Sequence, residues 1–239
     1  MEIEATTHAP LFIPETRIGF WFLGSRTWET HVVRVALRDL ERLIPRGAKP
    51  ANPVVLDAGC GQGLSFGALR EHFAPQRIIA VDVDAQCLLR AKAEARREGG
   101  LVEVRRDDLA ALELGDESVD VVFCHQTFHH LTRQKQALRE FHRVLRPGGL
   151  LLFAESTRAY IESWVIRLLF RHPMEVQRSA EQYLDMIRAQ GFAVGRAGVS
   201  FPYLWWSRWD LGALEFFGRP VPAPGEREET LVNLVAVKA

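Results

Sequence analysis

Short apolar runs alternate with amphipathic stretches through the middle of this chain. Val54–Leu56 is a β-branched run that ends in a glycine-rich turn at 57–63, and Leu64–Phe73 then reads as helix. Arg77–Val81 (RIIAV) reads as a second strand, and Ala85–Glu98 as a second helix closed by Gly99 and Gly100. Val102–Arg105 and Val119–Cys124 supply strands three and four. Arg133–Leu145 is an amphipathic helix stopped by the turn Pro147-Gly148-Gly149, and Leu150–Ala154 (LLLFA) is a fifth strand. Unbroken apolar strands need cover on both faces, and helices between them provide it. The pattern predicts an α/β, doubly wound, mostly parallel sheet.

The flanks are less regular. Val33, Ala36, Leu37, Leu40 and Leu43 recur at helical spacing between Thr30 and Ile44, while the chain up to about Arg17 reads as a loose arm. Ala180–Gln190 is helical, and Phe192–Phe201 and Leu231–Lys238 look like closing strands. The expected organisation is an N-terminal arm and helical cap over 1–50. A single domain over 51–239 follows, with insertions at 157–180 and 202–224.

Composition narrows the function classes. Thirty basic and thirty acidic side chains cancel, so no global charge draws the chain to a nucleic acid. Apolar residues make up 47%, enough for a packed core. Cys60, Cys87 and Cys124 have no paired spacing, which argues against a disulfide framework and for a reducing compartment. No secretory pattern opens the sequence and no apolar run reaches the ~18–20 residues of a membrane span, so a cytoplasmic protein without stable membrane insertion is expected.

The chemistry concentrates at strand ends. Glycines at 59, 61 and 63 follow strand one and precede a helix, where a turn without Cβ atoms lets backbone N–H groups approach a ligand. Asp82 ends strand two, where a carboxylate can accept from both hydroxyls of a ribose, while Asp84 is the better cap for the following helix. Asp107 and Asp108 follow strand three, where an acid could accept from an adenine amine. Three such positions on one sheet edge point to a nucleotide-like ligand at the switch point.

VLDAGCGQG, IIAVDVD, RRDDLAALELGDESVDVVF, FHHL and LREFHRVLRPGGLLLFAE, taken in order, resemble the motifs of class I S-adenosylmethionine-dependent methyltransferases. The likeness is greatest to the small-molecule branch that includes ubiquinone/menaquinone-type C-methyltransferases. It implies a Rossmann-like, seven-stranded sheet with its last strand antiparallel and helices on both faces. It also implies S-adenosylmethionine as cofactor. Gly59 and Gly61 would approach the methionine part, and Asp57 would hold the turn and the amino group. Asp82 would take the ribose and Val83 the adenine face. Asp108, with Asp107 as its rival, would meet the adenine amine. Leu109 would add a backbone N–H and His125 would border the sulfonium.

Methyl transfer from a sulfonium is an in-line displacement that mainly needs positioning. Where the acceptor carries a proton, His129 is the candidate base, since histidine titrates near neutrality; a packing role is the alternative for the HHL sequence. His129 and His130 are adjacent, with no carboxylate or cysteine at a ligand spacing, so no metal is expected. The aromatic residues Phe20, Trp21, Phe22 and Trp28, the 157–180 segment and Trp205, Trp206 and Trp209 suggest walls for a small hydrophobic or aromatic acceptor, or a homodimer contact. Two other functions fit less well: an inert S-adenosylmethionine-binding partner protein, and an NAD-dependent oxidoreductase, which the GxGxG spacing disfavours. A nucleic-acid methyltransferase lacks support, because HQTF stands where an NPPY-like tetrapeptide would be.

Overall fold

The computed structural model describes residues 15–204 and 213–239. Trp205, Trp206 and Trp209, and the arm before Glu15, lie outside the described residues. The described chain opens with α1 (Arg17–Leu23), which begins where the stretch read as a loose arm ends; Thr16 caps it by accepting from Gly19 N–H at 2.9 Å. A short α2 (Arg26–Trp28) runs through a π-helical turn, residues 29–33, into α3 (Arg34–Leu43).

The core then alternates as the apolar pattern requires. β1 (Val54–Ala58), α4 (Phe66–Phe73), β2 (Arg77–Asp82), α5 (Ala85–Arg97), β3 (Val102–Arg106) and β4 (Val119–His125) follow in turn, then α6 (Gln134–Val144) and β5 (Leu145–Ser156). Beyond them lie α7 (Arg158–Ile161), α8 (Trp164–Leu169), α9 (Ala180–Ala189), β6 (Phe192–Ala193), β7 (Val199–Ser200), α10 (Ala213–Phe216) and β8 (Leu231–Lys238).

The sheet order is β3-β2-β1-β4-β5-β8, with β6 and β7 both on β8. The pairs among β1 to β5 are parallel and β8 runs antiparallel to β5. Strand side chains alternate faces. Val55, Ile78, Val121 and Leu152 pack under α3, α4 and α5, and Leu56, Ile79, Val122 and Leu151 under α6 and α9. Leu37 and Leu40 of α3 are fully buried in the first of these layers. The boundary expected near residue 51 therefore divides segments that share one core.

Two local readings need correction. The single strand expected over 192–201 is two short strands separated by a 3₁₀ turn, residues 196–198, so the described sheet has eight strands where seven were expected. Gly198 lies so close to β8 that a Cβ would sit 3.1 Å from the Val235 carbonyl, and the chain bends there instead of continuing its ladder. The RPGG turn is a bulge inside β5. The register passes from Val119 opposite Leu145 to Val121 opposite Leu150, leaving the intervening residues looped out.

Candidate active site

The strand order reverses between β1 and β4, and the loops after these two strands meet there. Gly59 and Cys60 N–H both donate to the Val81 carbonyl, at 2.8 and 2.9 Å, so the glycine turn is tied to β2. Gly59 has φ +81° because the chain must double back, and it has no room for a side chain: a Cβ would lie 2.1 Å from Thr127 Cγ2. Thr127 follows β4, and its hydroxyl donates to the Gly59 carbonyl at 3.0 Å. Gly61, at φ +52°, is open on its Cβ side, with no atom within 4 Å.

Asp57 is buried at the end of β1 and accepts from the Ser65 hydroxyl. Burial raises its carboxyl to about 7, against the Ser65 hydrogen bond and with help from the Asp82 charge. Asp82 Oδ2 accepts from Gly61 N–H and its Oδ1 from Asp84 N–H, each at 2.9 Å. Val83 N–H is a further backbone partner of this carboxylate. Asp84 caps α5 through Gln86 N–H at 2.7 Å, as expected. The two acids after β3 are used differently. Asp107 accepts backbone N–H groups from Asp108 and Glu113, both at 2.8 Å, which makes it a turn acid. Asp108 lines the cavity, bonds Ala110 N–H at 2.9 Å and pairs with Arg133.

Asp57, Gly59, Gly61, Asp82, Val83, Asp108, Leu109 and His125 all line one cavity at this switch point. The His125 ring stacks parallel on Phe123, centroids 5.7 Å apart, with the Trp28 ring 6.1 Å away. Burial depresses its pKa to about 4, so the ring is neutral near pH 7. His129 is absent from this cavity and lines a second one, which shares Glu15, Leu23, Trp28, Gln126 and His130 with the first. The roof of the second cavity is Tyr160, Ile161, Ile166 and Phe170 from the 157–180 segment. His129 itself is buried, its Nδ1 2.6 Å from Oε2 of Glu155, a carboxylate with no exposed surface. The other Glu155 oxygen accepts from Thr127 and Phe128 N–H, at 2.8 and 2.7 Å.

A family profile described as a methyltransferase domain matches residues 56–153, from β1 into β5. Over 104 residues, 44% of this chain, the sequence is 40% identical to a "probable S-adenosylmethionine-dependent methyltransferase" of Mycolicibacterium smegmatis. Over 152 residues, 61% of the chain, it is 36% identical to a malonyl-(acyl-carrier protein) O-methyltransferase of Methylococcus capsulatus. These matches span 38% and 53% of the relatives' own lengths. Residues 56–153 thus match a methyltransferase domain, in a chain similar to a relative named as S-adenosylmethionine-dependent. The fold of this domain superposes on an S-adenosylmethionine-dependent methyltransferase from Aquifex aeolicus with a TM-score of 0.64 at 20% identity, covering 92% of this chain and 97% of that one. The cyclase SpnF also shares the fold, with a TM-score of 0.60 at 21% identity over 84% of this chain and 80% of its own.

Several residues of the methyltransferase domain's cavity walls had no signal in the sequence. Gln62, between two glycines, donates to the Phe20 carbonyl at 2.7 Å and accepts from Arg90 at 2.6 Å, which ties α1 to the glycine turn. Phe20 and Trp28 line the first cavity, Trp28 also lines the second, and Trp21 is 70% exposed. Thr16 donates to the Leu169 carbonyl at 2.6 Å and Phe22 meets Phe170 edge-on, so α1 and α8 close over the same opening. Glu155 and His172 were missed because each is distant in sequence from the histidines it touches. No helix of the described residues is long and apolar enough to cross a membrane.

Proposed function

We propose that this protein transfers a methyl group from S-adenosylmethionine to a small hydrophobic or aromatic acceptor, at O, C or N. The observation that carries the reading is the pair of adjoining cavities with opposite chemistry. One is lined by five carboxylates, Glu15, Asp57, Asp82, Asp84 and Asp108, and an open glycine turn; the other shares Glu15 at its edge and is otherwise lined mainly by aromatic and aliphatic side chains and histidines.

The cofactor end fits the group. Asp82 lines the cavity and would accept from the ribose hydroxyls, and Val83 lies beside it for the adenine face. Asp108, whose neighbour Asp107 is spent on the turn, would accept from the adenine amine close to Leu109 N–H. Gly61, without a Cβ, leaves room beside the methionine part, with Gly59 shaping the bend and Asp57 below it for the cationic amino group. S-adenosylmethionine supplies a methyl group already activated on a sulfonium. The protein's own part is to align the acceptor with that group and exclude water. His125, neutral and braced on Phe123, borders the junction of the two cavities without placing a positive charge there. α1 and the 157–180 segment act as the lid, and His129, oriented by Glu155, meets the acceptor's acidic hydrogen.

A protein that binds S-adenosylmethionine without transferring its methyl group is the second reading; one structure of like fold is that of a [4+2]-cyclase, which is not named for methyl transfer. A screen of phenols, enols and hydrophobic acids with methyl-labelled cofactor separates the two. Label transfer to one class, slowed at least tenfold at saturating cofactor in His129→Ala, is the expected result. No transfer to any acceptor would favour the binding protein, and transfer unaffected by His129→Ala across pH would remove that residue from the chemistry.

A further inference from the structure

The second cavity holds a feature that neither the methyltransferase family nor the sequence spacing supplies. His129, His130 and His172 come from two separate segments, the turn after β4 and the irregular stretch after α8, and their rings converge. Centroids lie 4.2 Å apart for His129 and His130, 5.1 Å for His129 and His172, and 4.9 Å for His130 and His172. One nitrogen from each falls within 4.8 Å of the other two. Around a tetrahedral ion with bonds of about 2.0–2.1 Å, ligand nitrogens stand about 3.4 Å apart, so modest side-chain rotation closes the set.

Two further contacts are those a metal ligand set uses. His129 is held at Nδ1 by the buried Glu155, which fixes the ring and leaves Nε2 for a ligand; a carboxylate behind a ligating imidazole is the usual arrangement. Glu15 adds an anionic oxygen. Its Oε1 is buried, has no hydrogen-bond partner among the described residues and lies 3.8 Å from His130 Nε2. Three imidazoles packed together with a buried carboxylate oxygen that accepts no hydrogen bond form a donor set of the kind that holds a cation; the other oxygen, Oε2, accepts from Arg171 N–H at 3.5 Å.

We infer that His129, His130 and His172, with Glu15 as the anionic member, bind a divalent first-row transition-metal ion at the acceptor end of the active site. Imidazole nitrogen with one carboxylate suits zinc, cobalt, nickel or iron better than magnesium or calcium, which prefer all-oxygen sites. The ion faces the cavity roofed by Ile161, Ile166 and Phe170. On the methyltransferase reading above, an acceptor oxygen entering this cavity would bind the ion as its anion, its proton leaving to solvent and its electron pair left for the methyl carbon. That narrows the acceptor to a hydroxyl or carboxylate compound and, with the ion bound, replaces the proton-accepting role given to His129 above by that of a ligand.

The test uses untagged full-length protein stripped with a chelator and titrated with Co2+, followed by its visible absorption, then displaced by Zn2+. One equivalent of tetrahedral-type spectrum at micromolar concentrations is expected. His172→Ala and His130→Ala should each weaken binding at least tenfold. Glu155→Gln should weaken it by about 10–100-fold through lost ring orientation. The exposed His31→Ala should leave it unchanged. Absence of stoichiometric cobalt binding, or equal binding in His172→Ala, would overturn the inference. S-adenosylmethionine binding is measured on the same samples to verify folding. Cofactor binding without metal binding defeats the ion alone, and metal binding without cofactor binding defeats the methyltransferase reading alone.

Discussion

Two glycines of one turn serve opposite purposes, and substitution separates them. Alanine at 59 would combine a left-handed φ of +81° with a contact of 2.1 Å to Thr127, which is itself tied to the turn. Gly59→Ala should therefore destabilise the fold by about 2–4 kcal/mol. Gly61→Ala meets no protein atom within 4 Å and carries only the cost of a left-handed alanine, about 1–2 kcal/mol. It should fold, yet lose cofactor affinity because its methyl occupies the cradle. Chemical denaturation and calorimetry on both variants check this; equal stabilities would contradict the geometry. Asp57 gives a pH signature at the same scale. Burial holds its carboxyl near 7 in the free protein, while a cationic cofactor favours the carboxylate. Binding should then release a proton below pH 7, and affinity should rise with pH by up to about tenfold per unit between ~5 and 7 before levelling. A flat profile over that range would remove Asp57 from the cofactor's charged end.

At the scale of elements, what was legible in the sequence was what local pattern encodes. Val/Ile/Leu runs gave the central strands, because each is buried on both faces, and the acids and glycines at their ends marked the cavity edge. Asp84 was separable from Asp82 because capping has a fixed spacing. Elements set by distant contacts were not legible. α1 shows no single apolar face in the sequence, because Trp21 points out while Phe20 and Phe22 pack against separate partners, the Arg90 guanidinium and Phe170. His172 joins His129 and His130 only through the path of the 157–180 segment. Gln62 had no periodicity to reveal it, yet it is the tie between α1 and the glycine turn. Gln62→Ala should raise amide exchange across Arg17–Leu23 several-fold while β1 and β2 stay protected, as hydrogen-exchange mass spectrometry would detect. Unchanged protection of α1 would mean that its contacts with α8 suffice.

Over the whole molecule, the sheet brings distant parts of the chain to one edge. β1, β2 and β3 end in the acids and the glycine turn, β4 ends at His125 and leads to His129, and α1 with α8 covers both. The zero net charge gives the molecule no global field to steer a charged partner, and the proposed selectivity is placed in this enclosed space. Everything proposed for the acceptor end depends on the cofactor occupying the carboxylate-lined cavity. The most direct measurement is a calorimetric titration of the full chain with S-adenosylmethionine and, separately, with NADH, repeated on Asp82→Ala. The account predicts one-to-one binding of S-adenosylmethionine at micromolar concentrations and none of NADH. In Asp82→Ala the loss should be about 1.5–3 kcal/mol, from two hydrogen bonds to a charged acceptor, in a protein that remains folded. Undiminished binding in Asp82→Ala, or preference for NADH, would contradict it.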